Sequence, residues 1–208
     1  MVVIVRTILV CITIAFASCG YVRTPERPTV INDTGEVPAE LSRFLPYGNP
    51  SGATLDADNR DNYLLVRETH ISSYNNSRGT INWTAWFTTA KDLGEDRDRP
   101  RFEADRTLPN GFRRVQYYDY SGSGFDRGHI VPSADRLADP RLNEQTFLLT
   151  NIVPQTKALN QFPWQKLESY SRLLARRGDT IYTIAGVYGD GGNLRGKVTV
   201  PTNCWKVI

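Results

Sequence analysis

Short apolar runs separated by polar, glycine-containing segments dominate the first half of the chain after its N-terminal region. Strand-like runs cover residues 63–67, 70–74 and 80–88, and the polar run 75–79 between the last two is typical of a hairpin loop. We predict a further strand at residues 113–120, which leads into the segment that follows. Residues 143–149 and 150–155 predict a short helix or turn and then a strand or loop edge.

The clearest helical pattern covers residues 161–177. Pro163 lies in the first turn, where its missing N–H does no harm, and Arg176, Arg177 and Gly178 are typical of a helix end. Steps of three and four residues predict a buried stripe of Trp164, Leu167, Tyr170, Leu173 and Leu174. Strands at 180–188 and 197–201 follow. Because the strands are grouped and do not alternate with helices, the pattern predicts an α+β fold.

The N-terminal residues have the composition of an export signal. After a lone Arg6, an apolar run covers residues 8–17, which is too short to span a membrane. Ala15 and Ala17 have the spacing that a signal peptidase requires, while residues 16–19 resemble a bacterial lipobox that would place a lipid anchor on Cys19. We expect a signal peptide at 1–19 and an extracytoplasmic protein, secreted, periplasmic or lipid-anchored. The alternative to a signal peptide is a buried N-terminal strand.

Composition indicates one globular domain behind this leader. The 208 residues include 40% hydrophobic and 23% charged residues, which are ordinary values for a folded protein. Proline and polar residues in 20–44 predict a flexible linker, so the folded domain is expected at 45–208. Three cysteines are too few for a disulfide framework or a zinc site of zinc-finger type. A net charge of +3 alone does not establish a polyanionic partner.

Side chains that could take part in catalysis are concentrated in residues 124–136, which contain two carboxylates, two arginines and one of the two histidines. Imidazole has a pKa near neutrality, so His129 could accept a proton from water. A structural histidine is the ordinary alternative, and we keep that interpretation for His70. Asp126, Arg127 and Gly128 beside His129 favour a functional role there.

A second polar cluster follows around the predicted helix. Asn160, Glu168 and Arg172 are separated by multiples of four residues, so they share one side of the helix. An amide and a carboxylate oxygen suit a hard cation such as Mg²⁺, which keeps most of its waters. The alternative is that Asn160 caps the helix and that Glu168 and Arg172 form an ordinary exposed pair.

Taken together, the two clusters resemble the DNA/RNA non-specific endonucleases, the ββα-metal family that includes endonuclease G and many secreted bacterial nucleases. The resemblance covers residues 45–205 and rests on Asp126-Arg127-Gly128-His129 followed by Thr150–Gln155, Asn160, Trp164 and Glu168. Residues 48–52 and 73–79 look like the cyanobacterial-type branch. The resemblance implies a central antiparallel sheet flanked by helices. It also implies further strands beyond Ile208, so a truncated sheet is expected.

The resemblance also implies roles for individual residues. His129 would be the general base, Asn160 the direct ligand of a single Mg²⁺ or alternatively Mn²⁺, and Glu168 a ligand through water. An arginine of the charged loop would balance phosphate charge; Arg97, Arg99 and Arg101 are candidates, with Arg99 favoured. Arg127 and Arg172 would support the site, and Asn151 would help to order it.

These residues predict an exported, Mg²⁺-dependent endonuclease that cleaves both DNA and RNA and leaves 5′-phosphates. Two alternatives stay open: a phosphodiesterase on small nucleotides that uses the same residues, and a surface lipoprotein that binds nucleic acid without cleaving it. The sequence does not specify the oligomeric state.

Overall fold

The structure is a computed structural model that describes residues 42–95 and 98–208. The predicted signal peptide, almost all of the predicted linker, Cys19 and Arg97 lie outside the described residues. Within the described ranges, no helix is long and apolar enough to cross a membrane.

An antiparallel five-stranded sheet forms the centre of the fold. The strands in chain order are β1 (Tyr63–Val66), β2 (Ile71–Asn75), β3 (Thr80–Thr88), β4 (Asp126–His129), β5 (Ile152–Gln155), β6 (Ile181–Tyr188), β7 (Asn193–Leu194), β8 (Val198–Thr199) and β9 (Asn203–Val207). The strand order in the main sheet is β1-β2-β3-β6-β9, and two short two-stranded ribbons, β4-β5 and β7-β8, lie outside it. The runs predicted at 63–67, 70–74, 80–88 and 180–188 are therefore strands, and β9 was not predicted.

Gly79 closes the predicted hairpin between β2 and β3. Its φ of +63° lies in the left-handed region, which favours glycine. A Cβ at this position would also lie 2.1 Å from the carbonyl oxygen of Lys197. The turn therefore requires glycine for its conformation and for the close approach of a second chain segment.

The helices are short and are grouped in the second half of the chain. They are α1 (Pro140–Thr146), α2 (Lys157–Leu159) and α3 (Gln165–Arg176), and a π-helical turn (Asn160–Trp164) joins α2 to α3. Asp139 caps α1 by accepting a hydrogen bond from the backbone N–H of Arg141 at 2.8 Å. The predicted α+β class with an antiparallel sheet is confirmed.

Both faces of the main sheet are covered. On β1, Tyr63 and Leu65 belong to one buried cluster and Leu64 to another, because successive strand residues point to opposite faces. The first cluster includes Ile130 and Trp164, so the β4-β5 ribbon and the helix lie on that side. Phe44 and Leu45 cover the other face.

The predicted strand at 113–120 is wrong. Residues Tyr117–Tyr120 form a 3₁₀ turn, and the carboxylate of Asp119 accepts a hydrogen bond from the backbone N–H of Gln116 at 2.8 Å. A side chain that satisfies a turn N–H competes with strand pairing, and this outweighs the β propensity of the tyrosines.

The predicted buried stripe of the helix is wrong in its second half. Tyr170 and Leu173 are exposed, whereas Ser171 and Ala175 are buried. Three successive steps of three residues from Trp164 lose about 60° each at ~3.6 residues per turn, so the last residue faces the opposite side. The helical segment also begins at Lys157 rather than at residue 161.

Candidate active site

A cavity of about 730 Å³ opens beside the β4-β5 ribbon and the π-helical turn. Both clusters singled out in the sequence contribute to it. Its walls include Arg99, Phe102, Asp126, Arg127, His129, Asn143, Asn160, Gln161, Gln165, Glu168 and Arg172. Residues far apart in the chain therefore form one mostly polar site.

The β4-β5 ribbon positions the residues 126–129. The two strands are antiparallel, and Asp126 pairs with Gln155 while His129 pairs with Ile152. A Cβ on Gly128 would lie 2.0 Å from the side-chain oxygen of Gln155. Any larger residue at this position would therefore displace the buried Gln155 side chain, which packs directly on the backbone of β4.

His129 is held by aromatic rings. Its imidazole lies 4.8 Å from the ring of Phe147 and 5.3 Å from that of Phe102, measured between centroids. Its backbone carbonyl accepts a hydrogen bond from the indole N–H of Trp164 at 3.3 Å. The Nε2 atom is buried and has no hydrogen-bond partner among the described residues. Burial, and then the nearby positive charge of Arg99, lowers the pKa of His129 to about 3. The imidazole is therefore neutral near pH 7 and can accept a proton.

Asp126 connects the ribbon to the helix. Its Oδ2 accepts hydrogen bonds from Nδ2 of Asn160 at 3.0 Å and from Nε2 of Gln161 at 2.9 Å. Because an ionised carboxylate can only accept hydrogen bonds, the amide nitrogen of Asn160 must face Asp126. The amide oxygen of Asn160 is then left for another ligand.

Glu168 forms a buried ion pair that the sequence did not reveal. Its Oε1 lies 3.1 Å from Nζ of Lys206, and the side chains are 13% and 3% exposed, respectively. The Lys206 ammonium also lies 4.0 Å from the ring centroid of Trp164. Burial raises the pKa of Glu168, although the positive charge of Lys206 opposes that shift. The alternative interpretation of Glu168 and Arg172 as an ordinary exposed pair does not hold, because each residue has a different partner.

Arg172 pairs instead with Asp135. Its Nη1 lies 3.0 Å from Oδ1 of Asp135, and the carboxylate also accepts hydrogen bonds from Trp86 at 3.2 Å and Thr88 at 3.0 Å. Arg172 is therefore fixed to the main sheet at the wall of the cavity. A lysine within the apolar run of β9 and an aspartate within residues 124–136 were the only sequence signals for Lys206 and Asp135.

The predicted arginines differ in their placement. Arg99 lines the cavity, and its guanidinium lies 5.6 Å from the ring centroid of Phe147. Arg127 also lines it, stacks 4.0 Å from the ring centroid of Tyr117 and donates a hydrogen bond to the carbonyl of Tyr117 at 3.1 Å. Arg101 is exposed and is not among the described residues that line the cavity.

Asn151 lies behind the site rather than in its wall. Its Nδ2 donates hydrogen bonds to the carbonyls of Val131 at 3.0 Å and Thr146 at 2.8 Å, while its Oδ1 accepts one from the N–H of Val131 at 3.0 Å. It therefore holds the segment that leaves His129, which agrees with an ordering role.

The donor set suits a hard cation with few protein ligands. Asn160 and Glu168 both line the cavity, and their side chains carry the oxygen ligands that Mg²⁺ and Mn²⁺ accept. Within residues 42–95 and 98–208, no three His, Cys, Asp or Glu side chains form a metal-ligating group. An ion bound here would therefore retain most of its waters.

Buried His70 and half-buried His129 predict how stability depends on pH. Burial lowers the pKa of both His70 and His129 to about 3, whereas an unfolded histidine titrates near pH 6.5. Below pH 6.5 the unfolded chain binds protons that the folded chain does not, so stability falls as the pH is lowered towards 3. Each histidine should contribute a loss of about 2 kcal/mol between pH 6.5 and 5, as an upper bound. Urea unfolding at several pH values measures this, and His129→Asn should reduce the slope by about half.

A two-stranded antiparallel ribbon followed by a helix, with a neutral histidine and an amide oxygen at one cavity, defines a ββα-type nuclease site. The chain belongs to the DNA/RNA non-specific endonuclease family, whose model matches residues 52–208. The resemblance found in the sequence is therefore confirmed.

Individual relatives agree with this assignment. The chain is 47% identical to a nuclease of Nostoc sp. over 174 residues, which cover 83% of this chain and 64% of that protein. It is 32% identical to human mitochondrial endonuclease G over 177 residues, covering 78% of this chain and 56% of that protein. A crystal structure of an EndoG/EndoGI complex superposes with a TM-score of 0.65 at 25% identity, covering 83% of this chain and 74% of the other. The matched region thus covers somewhat less than two thirds of the length of the Nostoc nuclease and of human endonuclease G.

Proposed function

We propose that this protein is an exported, divalent-metal-dependent endonuclease that hydrolyses phosphodiester bonds in both DNA and RNA and leaves 5′-phosphates. The observation that carries the proposal is the placement of neutral His129 and of Asn160 at one cavity, with Asp126 hydrogen-bonded to the asparagine. Family membership supports the nuclease activity, and the pattern of residues 1–19 supports export.

His129 begins the proposed reaction as general base. It takes a proton from a water molecule, the water oxygen forms a bond to phosphorus, and the bond from phosphorus to the 3′ oxygen breaks. The departing oxygen takes a proton from solvent, so one product ends in a 3′ hydroxyl and the other in a 5′-phosphate. His129 is unprotonated at neutral pH, as a general base must be.

Asn160 and Glu168 would hold the divalent cation, Asn160 directly and Glu168 through water. When bound, the cation would supply positive charge to the phosphate and assist departure of the 3′ oxygen. Asp126 orients the Asn160 amide, and Lys206 balances the buried carboxylate of Glu168.

Arginines supply the remaining positive charge. Arg99 and Arg127 line the cavity and would stabilise negative charge on the phosphate oxygens during attack. Arg172 would support the wall from its ion pair with Asp135. Since contacts to phosphate carry no sequence information, a site of this kind would accept DNA and RNA of any sequence.

Plasmid cleavage tests this proposal directly. The purified protein should nick supercoiled plasmid and degrade RNA in Mg²⁺, lose both activities in EDTA and regain them when Mg²⁺ or Mn²⁺ is restored. Product ends should accept a labelled phosphate only after phosphatase treatment, because the cleavage leaves 5′-phosphates. Retardation of plasmid without cleavage in Mg²⁺ would instead indicate a binding protein, and full cleavage in EDTA would contradict the role of the cation.

A further inference from the structure

Phe162 is an exposed aromatic residue that follows Gln161 of the cavity wall. It is 62% exposed, although it lies in the π-helical turn between Gln161, which lines the cavity, and Trp164, which is buried. Pro163 follows it and restricts the backbone of both residues. The turn therefore holds a large apolar ring in solvent with little backbone freedom, one residue away from the site.

The exposed face of the helix continues from Phe162. Lys166 and Tyr170 follow at steps of four residues, so all three lie on the same side of the helical segment. Lys166 is exposed, and Tyr170 is 53% exposed. The sequence pattern placed one member of this aromatic-basic-aromatic row, Tyr170, in the buried stripe of the helix.

A row of this composition suits single-stranded nucleic acid. Aromatic rings stack on unpaired bases without selecting a sequence, and lysines contact the phosphates between them. The row begins at the residue after Gln161, which lines the cavity together with Arg99 and Arg127. An apolar partner protein would not explain the position of Lys166 between the two rings.

We propose that Phe162 is a stacking platform for an unpaired base beside the scissile phosphate, with Lys166 at a neighbouring phosphate and Tyr170 at the next base. This inference rests on the proposed nuclease function and deepens it by specifying the substrate class. Paired bases in a continuous duplex have their faces covered by their neighbours, so the enzyme should prefer single strands and frayed or looped segments.

The test compares Phe162→Ala with the wild-type protein on a single-stranded oligonucleotide and on a hairpin duplex. Stacking predicts that kcat/KM on the single strand falls about five- to hundredfold, mainly through KM, and that it falls much less on the duplex. Phe162→Trp should retain the preference. Tyr47→Ala is the matched control, because Tyr47 is 97% exposed and follows Phe44 and Leu45 on the opposite face of the sheet.

Oligonucleotides with one abasic position, moved along the strand, make the test specific for stacking. At one position the missing base should slow the wild-type enzyme but should not slow Phe162→Ala further. Unchanged kinetics of Phe162→Ala, or equal losses on every substrate with and without the base, would overturn the inference while leaving the nuclease function intact. Failure of the wild-type protein to cleave any nucleic acid would overturn the proposed function and this inference together.

Discussion

Replacing His129 with alanine should lower the rate of plasmid nicking by about two to four orders of magnitude, the usual contribution of a general base. The reason is that the neutral imidazole, whose Nε2 atom is buried without a hydrogen-bond partner among the described residues, is the base candidate in the cavity wall. Single-turnover cleavage of supercoiled plasmid in Mg²⁺ measures the loss. Plasmid binding in the presence of Ca²⁺ should change little, because the arginines of the wall remain.

Two controls separate lost chemistry from lost structure. Circular dichroism and the midpoint of urea unfolding should show that His129→Ala is folded, despite the space left between Phe102 and Phe147. Added imidazole can enter that space and should restore part of the activity of His129→Ala but none to His129→Phe. A folded His129→Ala protein that nicks plasmid at the wild-type rate would exclude His129 as the base.

Replacing Lys206 with methionine should destabilise the protein by about 3–5 kcal/mol and reduce cleavage strongly. The substitution removes one partner of a buried ion pair, which is far more costly than replacing both. Glu168 would be left 13% exposed without its cation, and the ammonium would no longer lie against Trp164. Urea unfolding at pH 7 measures the stability, and plasmid nicking measures the activity.

The double variant Lys206→Met with Glu168→Gln distinguishes the two effects. It contains no unpaired buried charge, so most of the stability should return while the activity stays low. Lys91→Met is a suitable control because Lys91 is an exposed lysine and surface substitutions change stability by about 0.5 kcal/mol or less. Equal stability of Lys206→Met and the wild-type protein would show that the ion pair contributes nothing.

Local patterns predicted the strands well because the hairpin and sheet runs carry both β-prone residues and turn residues. They failed where a specific side chain or geometry decided the structure. Asp119 satisfies a turn N–H in place of strand pairing, and the steps of three residues from Trp164 to Leu173 rotate around the helix. Periodicity over a few residues cannot detect either effect.

The residues of the candidate site were predicted more completely than the secondary structure, because their types and spacing resemble those of a known family. His129, Asn160 and Glu168 line one cavity, as the family resemblance implied, and Arg99 lies there while Arg101 does not. Lys206 and Asp135 were missed because their partners lie far away in the chain. The packing of α3 against β9 brings Glu168 to Lys206, and its packing against the turn at residues 133–135 brings Arg172 to Asp135. A long-range ion pair has no local sequence signature.

The hydrogen bonds that Asp126 accepts from Asn160 and Gln161 join segments separated by more than thirty residues. His129 and Asn160 therefore come together only when β4 and the π-helical turn have packed. An unfolded chain thus lacks the assembled site. A protein that crosses a membrane before folding would thus become active only on the far side.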